Sequence, residues 1–66
     1  MKILCNGEEK EVAAGIKLEE LILKLGLNPD TVVAECDDRI IQRQDYASLE
    51  LSENSKLELI RFVGGG

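Results

Sequence analysis

Apolar and polar positions follow three different rhythms along this chain. The first segment alternates: Ile3 and Cys5 fall on one side of an extended chain, and Lys2, Leu4 and Asn6 on the other, predicting a strand over residues 2–6. Asn6-Gly7 follows at once. It is a strong hairpin signal, because both residues tolerate positive φ. A second strand is predicted over residues 8–14, polar at Glu9, Lys10 and Glu11, with Val12 and Ala14 on one side. The rhythm then changes to a helical one. Leu18, Leu21, Ile22 and Leu25 form one stripe, with Glu19 and Glu20 in the first turn and Lys24 near the end, as the helix dipole favours. Gly26 and Pro29 supply the stop. The N-cap is weak, since Ile16 or Lys17 stands where Ser, Thr or Asp is preferred.

Alternation returns in the second half. Residues 31–36 predict a third strand, Asp37-Asp38 a turn, residues 39–41 a short return strand, and residues 42–46 a turn of helix. Leu49 and Leu51 alternate with polar neighbours, residues 52–55 read as a turn, and residues 56–63 predict the last strand. The order is ββαββ. Period two also assigns faces. Glu35 and Glu58 should face water, which turns Ile3, Cys5, Val32, Ala34, Leu57 and Leu59 toward the one helix as the core. Leu4, Val33, Ile60 and Phe62 are left on a face that no second helix covers. A small monomer seldom leaves a contiguous apolar patch unused, so these four are the candidate partner-binding face.

Composition narrows the function. The chain has 66 residues, near the lower limit for a single apolar core. Such a chain buries only about 60% of its unfolded surface and has no room for a deep substrate pocket. An enzyme is therefore not expected. Thirteen acids against 8 bases give a net charge of −5, with no Lys/Arg cluster. Nucleic acid is excluded as a partner, and a basic protein surface is favoured. With no histidine, His-based catalysis and His-ligated metal are excluded, and Asp37, Asp38 and Asp45 read as solvated turn acids; no metal site is expected. Cys5 and Cys36 lie in apolar segments without CxxC spacing and read as buried hydrophobes in a reducing compartment. No signal-peptide pattern or membrane-length apolar run appears, and the expected location is the cytoplasm, with no membrane contact.

The remaining feature is the ending, Val63-Gly64-Gly65-Gly66. A run of glycines without Cβ atoms adopts nearly any backbone angle and can thread a narrow cleft. It can present a terminal carboxylate there, or it can be a frayed end or linker. The expected organisation is one domain over residues 1–63 and a glycine tail over residues 64–66.

Taken together, the ββαββ order, a single helix across a mixed sheet and the glycine ending resemble the ubiquitin-like β-grasp fold. Within it the chain is most similar to the ThiS-type sulfur carriers of bacterial thiamine biosynthesis. The residues that carry the likeness run almost end to end: Met1-Lys2-Ile3 to Asn6-Gly7, Leu18 to Ile22, Val32-Val33-Ala34, Ile40-Ile41 with Arg43 and Tyr46, Lys56 to Ile60, and Phe62 to Gly66. Gln42, Asp37-Asp38 and Asn54-Ser55 depart from the family's usual turn residues. The resemblance implies an α+β fold, with a mixed four- to five-stranded sheet and one helix packed across it. It implies a monomeric co-substrate with no catalytic residue and no bound cofactor. Gly66 would carry the adenylate and then the thiocarboxylate, with Gly64 and Gly65 as its tether. The implied partners are an E1-like adenylyltransferase that uses ATP and Mg²⁺, a cysteine desulfurase as the sulfur source, and thiazole synthase. The small subunit of molybdopterin synthase, another β-grasp sulfur carrier, and a plain ubiquitin-like interaction module remain as alternatives.

Overall fold

The computed structural model of the chain describes residues 1–62. Residues 63–66, including the end of the expected last strand and the glycine tail, lie outside the described part. Strands β1 (Lys2–Cys5) and β2 (Glu8–Glu11) form the first hairpin, turning through Asn6 at φ 51° and Gly7 at φ 82°. Helix α1 (Leu18–Lys24) follows, then a 3₁₀ turn (Pro29–Thr31), β3 (Val32–Cys36) and β4 (Arg39–Ile41). A second 3₁₀ turn (Arg43–Asp45) leads to β5 (Lys56–Arg61). The sheet order is β2-β1-β5-β3-β4, with β1 and β5 parallel and the other pairs antiparallel. The strand nearest the C-terminus thus lies at the centre of the sheet. Its alternate residues Leu57 and Leu59 are buried while Lys56 and Glu58 are exposed, which fixes the register.

All six core residues expected from strand alternation are buried, together with Leu18, Leu21 and Ile22 of α1. Three more complete the core: Ile16, Tyr46 and Leu51. Tyr46 is 2% exposed and its hydroxyl donates to the Val32 carbonyl oxygen at 2.6 Å, so the ring can be buried without a lost hydrogen bond. Arg43 stacks over that ring at 5.1 Å and pairs with Asp30 at 2.9 Å and Glu19 at 3.2 Å, holding the second 3₁₀ turn against the start of α1.

β1 and β3 are each one residue shorter than expected, β5 ends at Arg61, and two further elements differ in ways that change the core. β2 stops at Glu11, before Val12 and Ala14. After the Val12 N–H donates to the Met1 carbonyl oxygen, the chain turns away through Gly15 at φ 81° and drops Ile16 into the core. α1 ends at Lys24, so Leu25 is the C-cap and leaves the buried stripe, at 37% exposure. Gly26 then takes φ 77°, the left-handed stop expected of it. At the other end of α1 no side chain of Lys17 caps the helix. The Glu20 carboxylate instead accepts from the Lys17 N–H at 2.9 Å, half of a capping box.

β5 is held by two turn residues that share one backbone geometry. β1 ends at Cys5, but the Asn6 side chain continues its pairing: Oδ1 accepts from the Leu59 N–H at 2.8 Å and Nδ2 donates to the Leu59 carbonyl oxygen at 3.3 Å. On the other flank, Asp37 Oδ1 accepts from the Lys56 N–H at 3.0 Å, and the Asp37 N–H donates to the Lys56 carbonyl oxygen at 2.8 Å. Asn6 and Asp37 both sit at φ 51°, a region in which Asn and Asp are the favoured non-glycine residues. Replacing Asn6 by Gly keeps that conformation accessible but strands a partly buried Leu59 amide. Asn6→Gly is therefore expected to cost about 1–3 kcal/mol, read as a lower urea midpoint at unchanged m-value. An unchanged midpoint would mean that the side-chain amide contributes nothing to β5.

Candidate partner-docking face

The sheet has one face on α1 and one open to solvent. On the open face Val33 and Ile60 are direct cross-strand partners in the β3–β5 ladder. Phe62 lies two residues further along, with its N–H donated to the Thr31 carbonyl oxygen at 3.2 Å. Ile60 is 53% and Phe62 50% exposed, and Val33 is half-buried. These three candidates form one patch. Leu4 does not join it. Its partner on β5 is Lys56, four residues from Ile60, or roughly 13 Å along the strand. Its surroundings are polar: Lys2, Glu9 and Asn54 share a shallow hollow with it. The pattern of alternation gives a residue's face but carries no information about strand register, so Leu4 could not be separated from the others in the sequence.

Ile40 is the apolar residue that the alternation argument left out. It pairs with Glu35 across β3–β4, stands diagonal to Val33 on the same face, and is 68% exposed. The signal was present in Ile40-Ile41, since two adjacent apolar residues in a strand must point to opposite faces. Between the apolar patch and Leu4 runs an acidic step, where Glu35 of β3 lies directly opposite Glu58 of β5. Like charges in that relation are mutually unfavourable. The open face is thus an apolar cluster bordered by two carboxylates.

The cysteines behave differently from one another. Both flank Leu57, Cys5 from β1 and Cys36 from β3, on the helix side of the sheet. Two strand spacings separate them, roughly 9.5 Å, which is beyond disulfide reach. Cys5 is buried as expected. Cys36 is only half-buried, a correction to its assignment as fully core-facing: it sits at the end of β3 beside the Asp37 turn, with Sγ 3.8 Å from Asp37 Oδ2. Burial, opposed by Lys10, raises the Cys5 thiol pKa. Burial followed by the charge of Asp37 raises that of Cys36. Both shifts disfavour the thiolate that an attacking cysteine needs.

A family model described as the ThiS family matches residues 3–66, nearly the whole chain. The chain belongs to the ThiS family. The sulfur carriers of that family are small carrier proteins rather than enzymes. This ThiS-family chain is 38% identical over all 66 residues to a thiazole synthase of Magnetococcus marinus. It is 35% identical over the same span to one of Paramagnetospirillum magneticum, and covers 20% of each of those longer proteins. It is also 36% identical over 59 residues to the sulfur carrier protein TtuB of Thermus thermophilus, covering 89% of this chain and 85% of that one. Among solved structures, the thiamine biosynthesis protein (ThiS) from Geobacter metallireducens superposes with a TM-score of 0.85 at 23% identity, covering 100% of both chains, a likeness of fold. The β-grasp architecture implied by the sequence is therefore the observed one. Of the residues that the ThiS resemblance singles out, the apolar face lies within the described structure, and Gly64, Gly65 and Gly66 lie outside it. Among the described residues no helix is long and apolar enough to cross a membrane.

Proposed function

We propose that this ThiS-family carrier bears sulfur on the carboxyl group of Gly66 and delivers it to thiazole formation in thiamine biosynthesis. The observation that carries the reading is the family match, which runs to Gly66 and so includes the glycine ending with the fold. The thiazole synthases that contain a region similar to this whole chain support the choice of acceptor.

In this reading the Gly66 carboxylate attacks the α-phosphorus of ATP on an E1-like adenylyltransferase, and pyrophosphate leaves. A carboxylate is a poor electrophile, and the resulting acyl-adenylate provides AMP as the leaving group. The outer sulfur of a cysteine desulfurase persulfide then attacks the acyl carbon and expels AMP. A second thiol cleaves the resulting acyl disulfide, forming a disulfide with the first sulfur's carrier and releasing a thiocarboxylate on Gly66 for thiazole synthase. ATP and Mg²⁺ belong to the partner's chemistry. This chain's part is to bind and to present. Val33, Ile60 and Phe62 give the apolar contact, while Leu4, at the other end of the open face, makes a separate contact. Glu35 and Glu58 favour a basic partner surface. Gly64 and Gly65 are the slim tether. Pyrophosphate exchange by the adenylyltransferase tests the first step: exchange should require this chain and should be lost when one alanine follows Gly66. Undiminished exchange with the extended chain would remove Gly66 from the reaction. A second reading, in which the sulfur goes to another acceptor, is favoured by the similarity to TtuB.

A further inference from the structure

A groove separates the end of β2 from the C-terminal half of α1, on the helix side of the sheet and away from Val33 and Ile60. Val12, Ile16, Leu21 and Leu25 line it, with Lys10 and Lys24 among its walls, and its volume is about 330 Å³. That is the small end of the ~300–1,000 Å³ in which pockets enclose a whole small ligand. It suits one or two apolar side chains brought by a larger partner.

Charge indicates which kind of partner. Lys2, Lys17, Arg43 and Lys56 each lie within 4.0 Å of a carboxylate. Among the described residues, Lys10, Lys24, Arg39 and Arg61 have no such partner; Lys10 and Lys24 are both at this groove, whereas Arg39 and Arg61 lie elsewhere, each apart from the other. Lys10 stands directly across from the buried Ile3, so it is on the helix-facing side of the edge strand and is half-buried there. The acid at the same groove, Glu11, is 3.5 Å from the Met1 ammonium. On a chain of net charge −5, the groove is therefore an apolar site with locally positive walls. A cationic residue turned inward also discourages another strand from adding at the β2 edge. An occupant must then bring carboxylates to neutralise it.

We propose that this groove is a second docking site, for a protein segment that inserts an apolar side chain between Val12 and Leu25 and sets carboxylates against Lys10 and Lys24. Because the groove and the open sheet face lie on opposite sides of the sheet, both can be occupied at once. The carrier could be held by one partner while another acts on its tail. The docking site does not depend on which acceptor takes the sulfur.

A displayed library of 12-residue peptides, selected on the intact chain with the Lys10→Glu/Lys24→Glu variant as counter-target, tests this. The enriched peptides should combine Asp or Glu with Leu, Ile or Phe. They should shift the amide resonances of Val12, Ala13 and Leu25 but not those of Val33 and Ile60. They should bind the double variant, and separately the Leu25→Ser variant, roughly tenfold more weakly. Circular dichroism confirms that each variant is folded. Enriched peptides without acids, equal binding to the charge-reversed variant, mapping to the open face, or no enrichment would each overturn the proposal. So would an aliphatic carboxylate such as dodecanoate that saturates the groove when no peptide does.

Discussion

The Val33→Asp/Ile60→Asp double variant is expected to lose activation by the adenylyltransferase while keeping its fold. The two side chains face each other across the β3–β5 ladder at the centre of the open apolar patch. Burying each in a partner interface contributes about 1.5–3 kcal/mol. The aspartates forfeit that term and add the desolvation of two carboxylates. A combined loss above about 4 kcal/mol weakens binding roughly a thousandfold. Within the free domain the change is mild, because Ile60 is exposed and Val33 half-buried. The cost there is lower strand propensity at two positions and like-charge repulsion, both from Glu35 and Glu58 and between the two aspartates themselves, about 2 kcal/mol in all. Titration of the enzyme with each variant, beside circular-dichroism melts, separates the two effects. Leu4→Asp should have the smaller effect of the two sites, since Leu4 stands apart from the patch. Unchanged binding by the double variant would show that the partner docks elsewhere.

Leu57→Ala should come close to unfolding the domain. Leu57 is 1% exposed in the central strand, between Cys5 on β1 and Cys36 on β3. Buried Leu→Ala changes cost about 2–5 kcal/mol, the upper end where neighbours cannot collapse into the cavity. Here strands pair on both flanks and α1 covers the face, so relaxation is restricted. A domain of 66 residues has a total stability of roughly 3–10 kcal/mol. At about 4–8 °C per kcal/mol, the melting midpoint should fall by at least roughly 10 °C. A drop of only a degree or two would mean that this site is not the packing centre.

Element types and inward faces were legible because each depends on local periodicity. The stripe of α1 and the alternation of β5 each point one way, and Leu57, Leu59, Val32 and Ala34 are buried as that requires. Neighbour relations were not legible. Nothing in the alternation of β1 shows that Leu4 meets Lys56 and not Ile60, because register is fixed only when the strands pair. Tyr46, Ile16 and Leu51 lie in segments without a sustained period, and each reaches the core through a turn. Asn6 was readable as a turn residue, but its amide bonds to Leu59 depend on a strand 53 positions away. The apolar candidates were found from face assignment, with Ile40 overlooked. Gly66 was singled out from its chemistry alone and lies outside the described residues.

Intact-mass spectrometry is the most direct test of the carrier assignment. The chain is incubated with its adenylyltransferase, ATP, Mg²⁺ and a desulfurase with cysteine, and weighed before and after. Exchange of one oxygen for sulfur predicts a gain of about 16 Da that fragmentation places on Gly66 and that a one-alanine extension prevents. An unchanged mass under conditions in which the enzymes modify another carrier, or a gain located on Cys5 or Cys36, would contradict it.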